Sequence, residues 1–328
     1  MTVLYKNTLA SNAKGGTELM ASELTKRISP ELLDEFQIFV SRMDNVQPDP
    51  TKIRLYWCHD LAGDPAVEHF KNGGWDKFHR IIFASNWQMQ SYIQMYDIPW
   101  SRCIVLQNAI EPIPVHEKPC DVIRLAYWST PHRGLNILVP VFTKLCEKHD
   151  NIELDVYSSF KLYGWQERDK PFEELFEQCR SHPKINYHGT VDNQTIRDNL
   201  TKTHIHAYPS IWQETSCITL MEAMSAGLVC VHPNYGALYE TAAGWTVMYQ
   251  WLEDLNTHAQ AFYQILDMAI EHLNSDTIQS RAQSGKLYAD AYYSWDARAP
   301  QWENVLRSLL NEPRALPEDS GVFFNYKT

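Results

Sequence analysis

The chain lacks several features that would settle its class at once. None of its 328 residues fall in an apolar run approaching the roughly 20 needed to span a membrane. The opening residues do not read as a secretory leader. There is no CxxC pair: Cys58, Cys103, Cys120, Cys146, Cys179, Cys217 and Cys230 are scattered and read as small core residues in a reducing, cytoplasmic setting. Positive charge is not in excess. With 29 Lys and Arg against 40 Asp and Glu, the net charge of −11 argues against broad binding of nucleic acid or anionic lipid. No internal repeat or low-complexity tract is present.

What is there suits a globular α/β protein. Hydrophobic content is 44% and charged content 21%, and the length has room for two domains. The most informative stretch runs from His204 to Val231. Its first block alternates and ends in Pro209-Ser210, as a strand does. Ile218, Leu220, Met221, Met224 and Ala226 then recur at helical spacing, with Thr215 or Ser216 at the N-cap position and Gly227 at the C-terminal stop. Leu228 to Val231 reads as a second buried strand, giving a parallel crossover. Glu214 precedes the helix and Glu222 lies on it, at most roughly 12 Å apart at about 1.5 Å per residue. The free amides near Ser216, Cys217, Ile218 and Thr219 suit an anion. That layout fits a ligand with hydroxyls at both ends and phosphate in the middle.

Glu214, seven intervening residues and Glu222, in the frame YPS-x3-ETSCITLMEAMSAG, resemble the signature of retaining glycosyltransferases of the GT-B fold, particularly glycosyltransferase family 4. The resemblance implies two Rossmann-like domains facing each other across a cleft, with a C-terminal helix crossing back to the first. It implies transfer of a sugar from a nucleoside diphosphate donor, a UDP- or GDP-sugar, to a glycan, lipid-linked or small-molecule hydroxyl, with retention. In that family the first Glu contacts the donor sugar and the second holds the ribose. Gly15, Gly16 and Glu18 match the family's GG-x-E loop, although only Val3-Leu4-Tyr5 is available for the strand before it. Arg133, in STPHRGL, takes the place of the family's diphosphate-binding Lys, and Lys161 is the candidate second cation. The turn at Thr190-Val191 corresponds to the family's base-lining segment.

Other residues are read on their placement. His59 follows the strand Ile53 to Trp57 at its C-terminal end, the edge that faces ligand in open α/β sheets. It is either a sugar or acceptor contact or a satisfied loop histidine. The pair His204 and His206 has no third metal ligand at sensible spacing and reads as packing. No D-x-D pair is present, so no metal or other cofactor is expected. The domain reading is residues 1–115, then 120–293 for the nucleotide-sugar domain, a crossover helix at 294–312 and a loose tail at 313–328, with the proline-rich EPIPVHEKP as linker. A sugar epimerase or phosphorylase on the same fold, and a non-catalytic nucleotide- or glycan-binding module, stay open as alternatives.

Overall fold

The computed structural model describes residues 4–5, 15–43 and 46–316. The chain divides into two compact units. The first holds Leu19–Leu106, the strand Leu4–Tyr5 and residues 299–316; the second holds Gln107–Arg298 with residues 15–18.

The first unit is built on β1 (Leu4–Tyr5), α1 (Gly16–Arg27), α2 (Pro30–Leu33), β2 (Phe36–Val40), β3 (Ile53–Trp57), β4 (Arg80–Phe83), α3 (Asn86–Tyr96) and β5 (Cys103–Val105). The strands are parallel and lie in chain order. The doubtful first strand is thus present, though only two residues long, pairing Leu4 with Ile38 and Tyr5 with Phe39. FQIFV and IRLYW are buried throughout, as parallel strands covered on both faces must be. Strands laid down in chain order with right-handed crossovers put every connection on one face. That face carries an aromatic cluster in which the Phe70 ring lies 4.8 Å from Tyr56 and 5.4 Å from Tyr92. The other face is left for the last helix of the chain, which brings Trp302 to 4.7 Å from Trp57 and buries Leu306 and Leu309.

The stretch read as a loose tail from residue 313 is tied down where it is described. The Pro313 carbonyl lies 3.0 Å from His79 Nε2, and Arg314 Nη2 pairs with Glu35 Oε2 at 2.6 Å. Residues 317–328 lie outside the described residues.

The second unit contains β6 (Ile123–Trp128), α4 (Leu135–Leu145), β7 (Ile152–Tyr157), α5 (Glu173–Ser181), β8 (Ile185–Tyr187), α6 (Asn193–Leu200), β9 (Ile205–Ala207), α7 (Ile218–Ser225), β10 (Val229–Pro233), α8 (Leu238–Ala242), β11 (Val247–Tyr249), α9 (Leu255–Glu271), α10 (Asp276–Tyr292) and the start of α11 (Trp295–Leu309). Its six parallel strands run β11-β10-β9-β6-β7-β8. The chain builds outward from β6 in one direction and then returns to its other side at β9. This is the doubly wound order, and its ligand crevice forms at the reversal between β6 and β9.

The proline-rich segment read as a linker is anchored to this unit. Ile110 N donates to Tyr293 O at 2.8 Å, Ile113 is buried, and Ile113 N donates to Ser225 Oγ at 2.8 Å.

Histidines 204 and 206 occupy the central strand. His204 Nδ1 accepts from Arg124 N at 3.1 Å, and its Nε2 lies 2.9 Å from Pro119 O. His206 is fully buried, 4.2 Å from Trp128 and 5.3 Å from Tyr208, with no hydrogen bond on either ring nitrogen. Burial drives its pKa far down, and holds neighbouring His232 at about 4. Such an imidazole is neutral when folded and protonates when unfolded. The unfolded chain therefore binds more protons below about pH 6.5, and stability is lost as pH falls through that window. The thermal midpoint should drop between about pH 6.5 and pH 4. His206→Phe should flatten this dependence and raise stability at about pH 5 by about 2 kcal/mol. An unchanged pH profile would show that His206 does not titrate on unfolding.

Candidate functional site

The site is assembled by the two loops that leave the sheet at its reversal. Arg133 ends the turn Pro131–Arg133 after β6, and Glu214 lies in the loop after β9. Because β6 and β9 are paired neighbours, these loops emerge side by side. Gly134 permits their approach: its φ is +124°, and a Cβ there would strike the Pro209 carbonyl. Ile211 N donates to Arg133 O at 3.3 Å.

Arg133 Nη1 donates to both carboxylate oxygens of Glu214, at 2.9 and 3.1 Å, and Tyr208 OH donates to Oε1. Glu214 is 5% exposed. Burial alone would lower the Arg133 pKa, but the facing Glu214 carboxylate outweighs it and holds the guanidinium charged. The Glu214 backbone is fixed as well. It forms a parallel bridge with Gly236, and Ala237 N donates to its carbonyl at 2.7 Å.

Only part of the Arg133 fork is used. Its Nε is buried without a hydrogen bond, as are Thr130 Oγ1, His132 Nδ1 and Ser158 Oγ, all on the loops after β6 and β7. Buried polar atoms are normally paired. Four such atoms fall on the loops at one sheet edge.

Glu222 sits on α7 and is buried. Its nearest cation is Arg197 of α6, with Nη1 at 3.4 Å, and Arg197 Nη2 also donates to Glu111 O at 2.8 Å. Burial raises the Glu222 pKa, while Arg197, Asn193 and Trp128 pull it the other way. The Trp128, His206 and Tyr208 rings follow one another between the two carboxylates, the first pair tilted and the second stacked.

One expectation is corrected at the helix start. The N-cap of α7 is Cys217, not Thr215 or Ser216, so the helical amides begin at Ile218. The chain enters the helix later because the loop is pulled toward Gly236 by the Glu214 bridge. A cysteine offers no oxygen to occupy those amides, so they stay open to an anion. Gly227 has the expected place, at φ +67° just past the C-cap.

The other candidates are spread around. A Cβ on Gly15 would overlap the Tyr163 ring, and one on Gly16 would lie 2.9 Å from Ile218 Cδ1, so both glycines serve close approach. Lys161 is exposed on the turn Phe160–Tyr163, and its ammonium has no ion pair among the described residues. Thr190 is exposed, and Val191 packs partly on the core beside the α6 N-cap Asp192. His59 lies in the first unit, its ring 4.7 Å from Trp57, with burial pushing its pKa down to about 3.

The partners Tyr208 and Arg197 and the support glycines Gly134 and Gly236 are absent from the sequence-based site. Gly236→Ala should show their importance. A Cβ there would lie 2.5 Å from Glu214 N, at a φ of +60°. The variant should lose about 2 kcal/mol in urea unfolding; wild-type stability would mean the Glu214 loop is not held by this contact.

Residues 129–271 match the family model described as Glycosyl transferases group 1, a span that includes Arg133, Glu214 and Glu222. The chain is 21% identical over 191 residues to the phosphatidylinositol N-acetylglucosaminyltransferase gpi3 subunit of Schizosaccharomyces pombe, covering 58% of this chain and 38% of that protein. The match thus spans little more than a third of that relative's length. Among solved structures, a glycosyltransferase from Rickettsia africae ESF-5 superposes with a TM-score of 0.68 at 14% identity, over 95% of this chain and 85% of the other. Anabaena HepE in complex with UDP-glucose gives 0.65 at 15% identity, over 91% and 85%. Among the described residues no helix is long and apolar enough to cross a membrane, and no group of three metal-ligating side chains is assembled. The fold is GT-B, and the group 1 match points to glycosyl transfer over the residues it covers.

Proposed function

We propose that the chain transfers a hexose from a nucleoside diphosphate sugar to an acceptor hydroxyl, with retention at the anomeric carbon and without a metal ion. One observation carries this reading: Arg133 holds Glu214 with Nη1 while its Nε is buried and unbonded. A guanidinium can fork onto two oxygens, so the unused edge suits a phosphate group. The carboxylate on the used edge is fixed by Tyr208, and in this reading it accepts from sugar hydroxyls.

In this reading Glu222 accepts from the ribose hydroxyls, and Arg197 opposes the upward pull of burial on its pKa. The amides at Ile218 and Thr219 and the Arg133 cation stabilise charge growing on the departing diphosphate, usually the largest single contribution to such catalysis. Thr190 and Val191 line the base, and Gly15 and Gly16 let the chain approach beside Tyr163 and Ile218. Lys161 adds positive potential without a fixed contact. The bond from the anomeric carbon to the phosphate oxygen breaks as the bond to the acceptor oxygen forms on the same face. The acceptor proton passes to the leaving phosphate. No protein nucleophile is required, and His59, held neutral by burial, is not assigned a step.

Arg133→Ala should raise the barrier for turnover of any accepted donor by about 2–4 kcal/mol. Glu222→Ala should weaken binding of UDP or GDP measured by calorimetry, and an unchanged affinity would remove its ribose role. Turnover should persist in EDTA. A loss reversed by Mn²⁺ would overturn the metal-free step.

A further inference from the structure

The opposite, N-terminal edge of the second sheet opens into a cavity of about 370 Å³. Its floor is the start of three strands, at Ile123, His204 and Val229, and its walls come from residues 115–120 and from α10. No carboxylate lines it, although the chain carries 40 Asp and Glu. Two lysines do.

Lys286 is fully committed, donating to the Ile113 and Ser225 carbonyls and to Asp290 Oδ2. Lys118 is not. Its ammonium donates only to Gly227 O, at 2.9 Å, among the described residues. An ammonium has three donors, so two remain. Among the described residues no counter-ion is at hand: Asp290 is already spent on Lys286 and Ser225, burial keeps the Cys230 thiol protonated, and both His204 nitrogens are bonded. Burial pushes the Lys118 pKa down to about 8, the mark of a charge held without compensation.

We propose that this cavity is a second ligand site that takes a small oxyanion, a phosphate or a carboxylate, on the Lys118 ammonium, with the Asn274 and Gln283 side chains at its rim. The space holds roughly a dozen waters' worth of ligand, at about 30 Å³ each. The occupant would also bear on α7. The Gly227 carbonyl that Lys118 caps lies just beyond that helix's C-terminal end, so an anion drawing the ammonium away loosens the cap of the helix that carries Glu222.

The test is calorimetric titration of the whole chain with inorganic phosphate and, separately, with citrate. Wild type should bind at least one of them, and the one bound identifies the phosphoryl or carboxylate class. Lys118→Gln should weaken binding at least about tenfold. Gln283→Glu, which places a carboxylate at an exposed rim position and leaves the Lys118 bond intact, should do the same and decides the matter if Lys118→Gln folds poorly. Arg133→Ala should leave this binding unchanged, which separates it from any anion taken at the opposite sheet edge. Binding at about pH 8 should take up protons, read from buffers of different ionisation enthalpy. Loss of binding in Arg133→Ala with none in Gln283→Glu would overturn the proposal, as would no binding of either anion at millimolar concentration.

Discussion

The Arg133–Glu214 pair is the interaction on which the second unit's C-terminal edge depends. Taking both charges out of water costs several kcal/mol per ion in an apolar setting, and that cost is offset only with good geometry and further hydrogen bonds. Here Nη1 bridges both carboxylate oxygens and Tyr208 adds a third hydrogen bond. Removing Arg133 would strand the buried Glu214 carboxylate, a loss of about 3–5 kcal/mol in comparable pairs. The pair therefore locks the loops after β6 and β9 to each other before any ligand arrives. What it leaves open is as informative: a cation whose charge is balanced, but whose Nε points at no acceptor.

That lock requires two backbones to come closer than side chains allow, and glycine solves the problem twice. At Gly134 the turn after β6 meets the Pro209 carbonyl, and at Gly236 the loop after β10 meets the Glu214 amide. Both have positive φ, so the same residues meet a steric and a conformational demand. Strand order makes the approach necessary. Only at a reversal do two consecutive-edge loops diverge around a crevice, and in this sheet the reversal falls between the strands that carry Arg133 and Glu214.

Much of this was legible in the sequence, for physical reasons. Parallel strands buried on both faces leave apolar runs such as FQIFV, and the helix–Gly227–strand transition follows from the left-handed residue that ends α7. Glu214 and Glu222 stood out because both lie within one crossover. Arg197 did not, since its pairing with Glu222 joins residues 25 apart through tertiary packing alone. The N-cap falls later than local pattern suggests because a tertiary bridge to Gly236 holds the chain out of the helix past Thr215 and Ser216. Nothing local shows that Pro313 and Arg314 are held by His79 and Glu35, partners more than two hundred residues away in the chain.

Helix α7 is held differently at its two ends, and the asymmetry bears on function. Its amino end has no oxygen cap, so its positive pole is unspent at the edge where Arg133 and Glu214 meet. Its carboxyl end is the reverse: Lys286 takes the Ser225 carbonyl, Lys118 takes that of Gly227, and Ser225 Oγ is held between Ile113 N and Asp290. Two cations at a helix's negative pole are favourable by the dipole alone, by roughly 0.3–1 kcal/mol each. They also add to the packing of the eight-residue helix, six of whose residues are buried, in fixing its axial position. Placing Glu222 to within the fraction of an ångström that ligand recognition demands is thus achieved from the far end of the helix, by residues that need never touch a ligand at the near one.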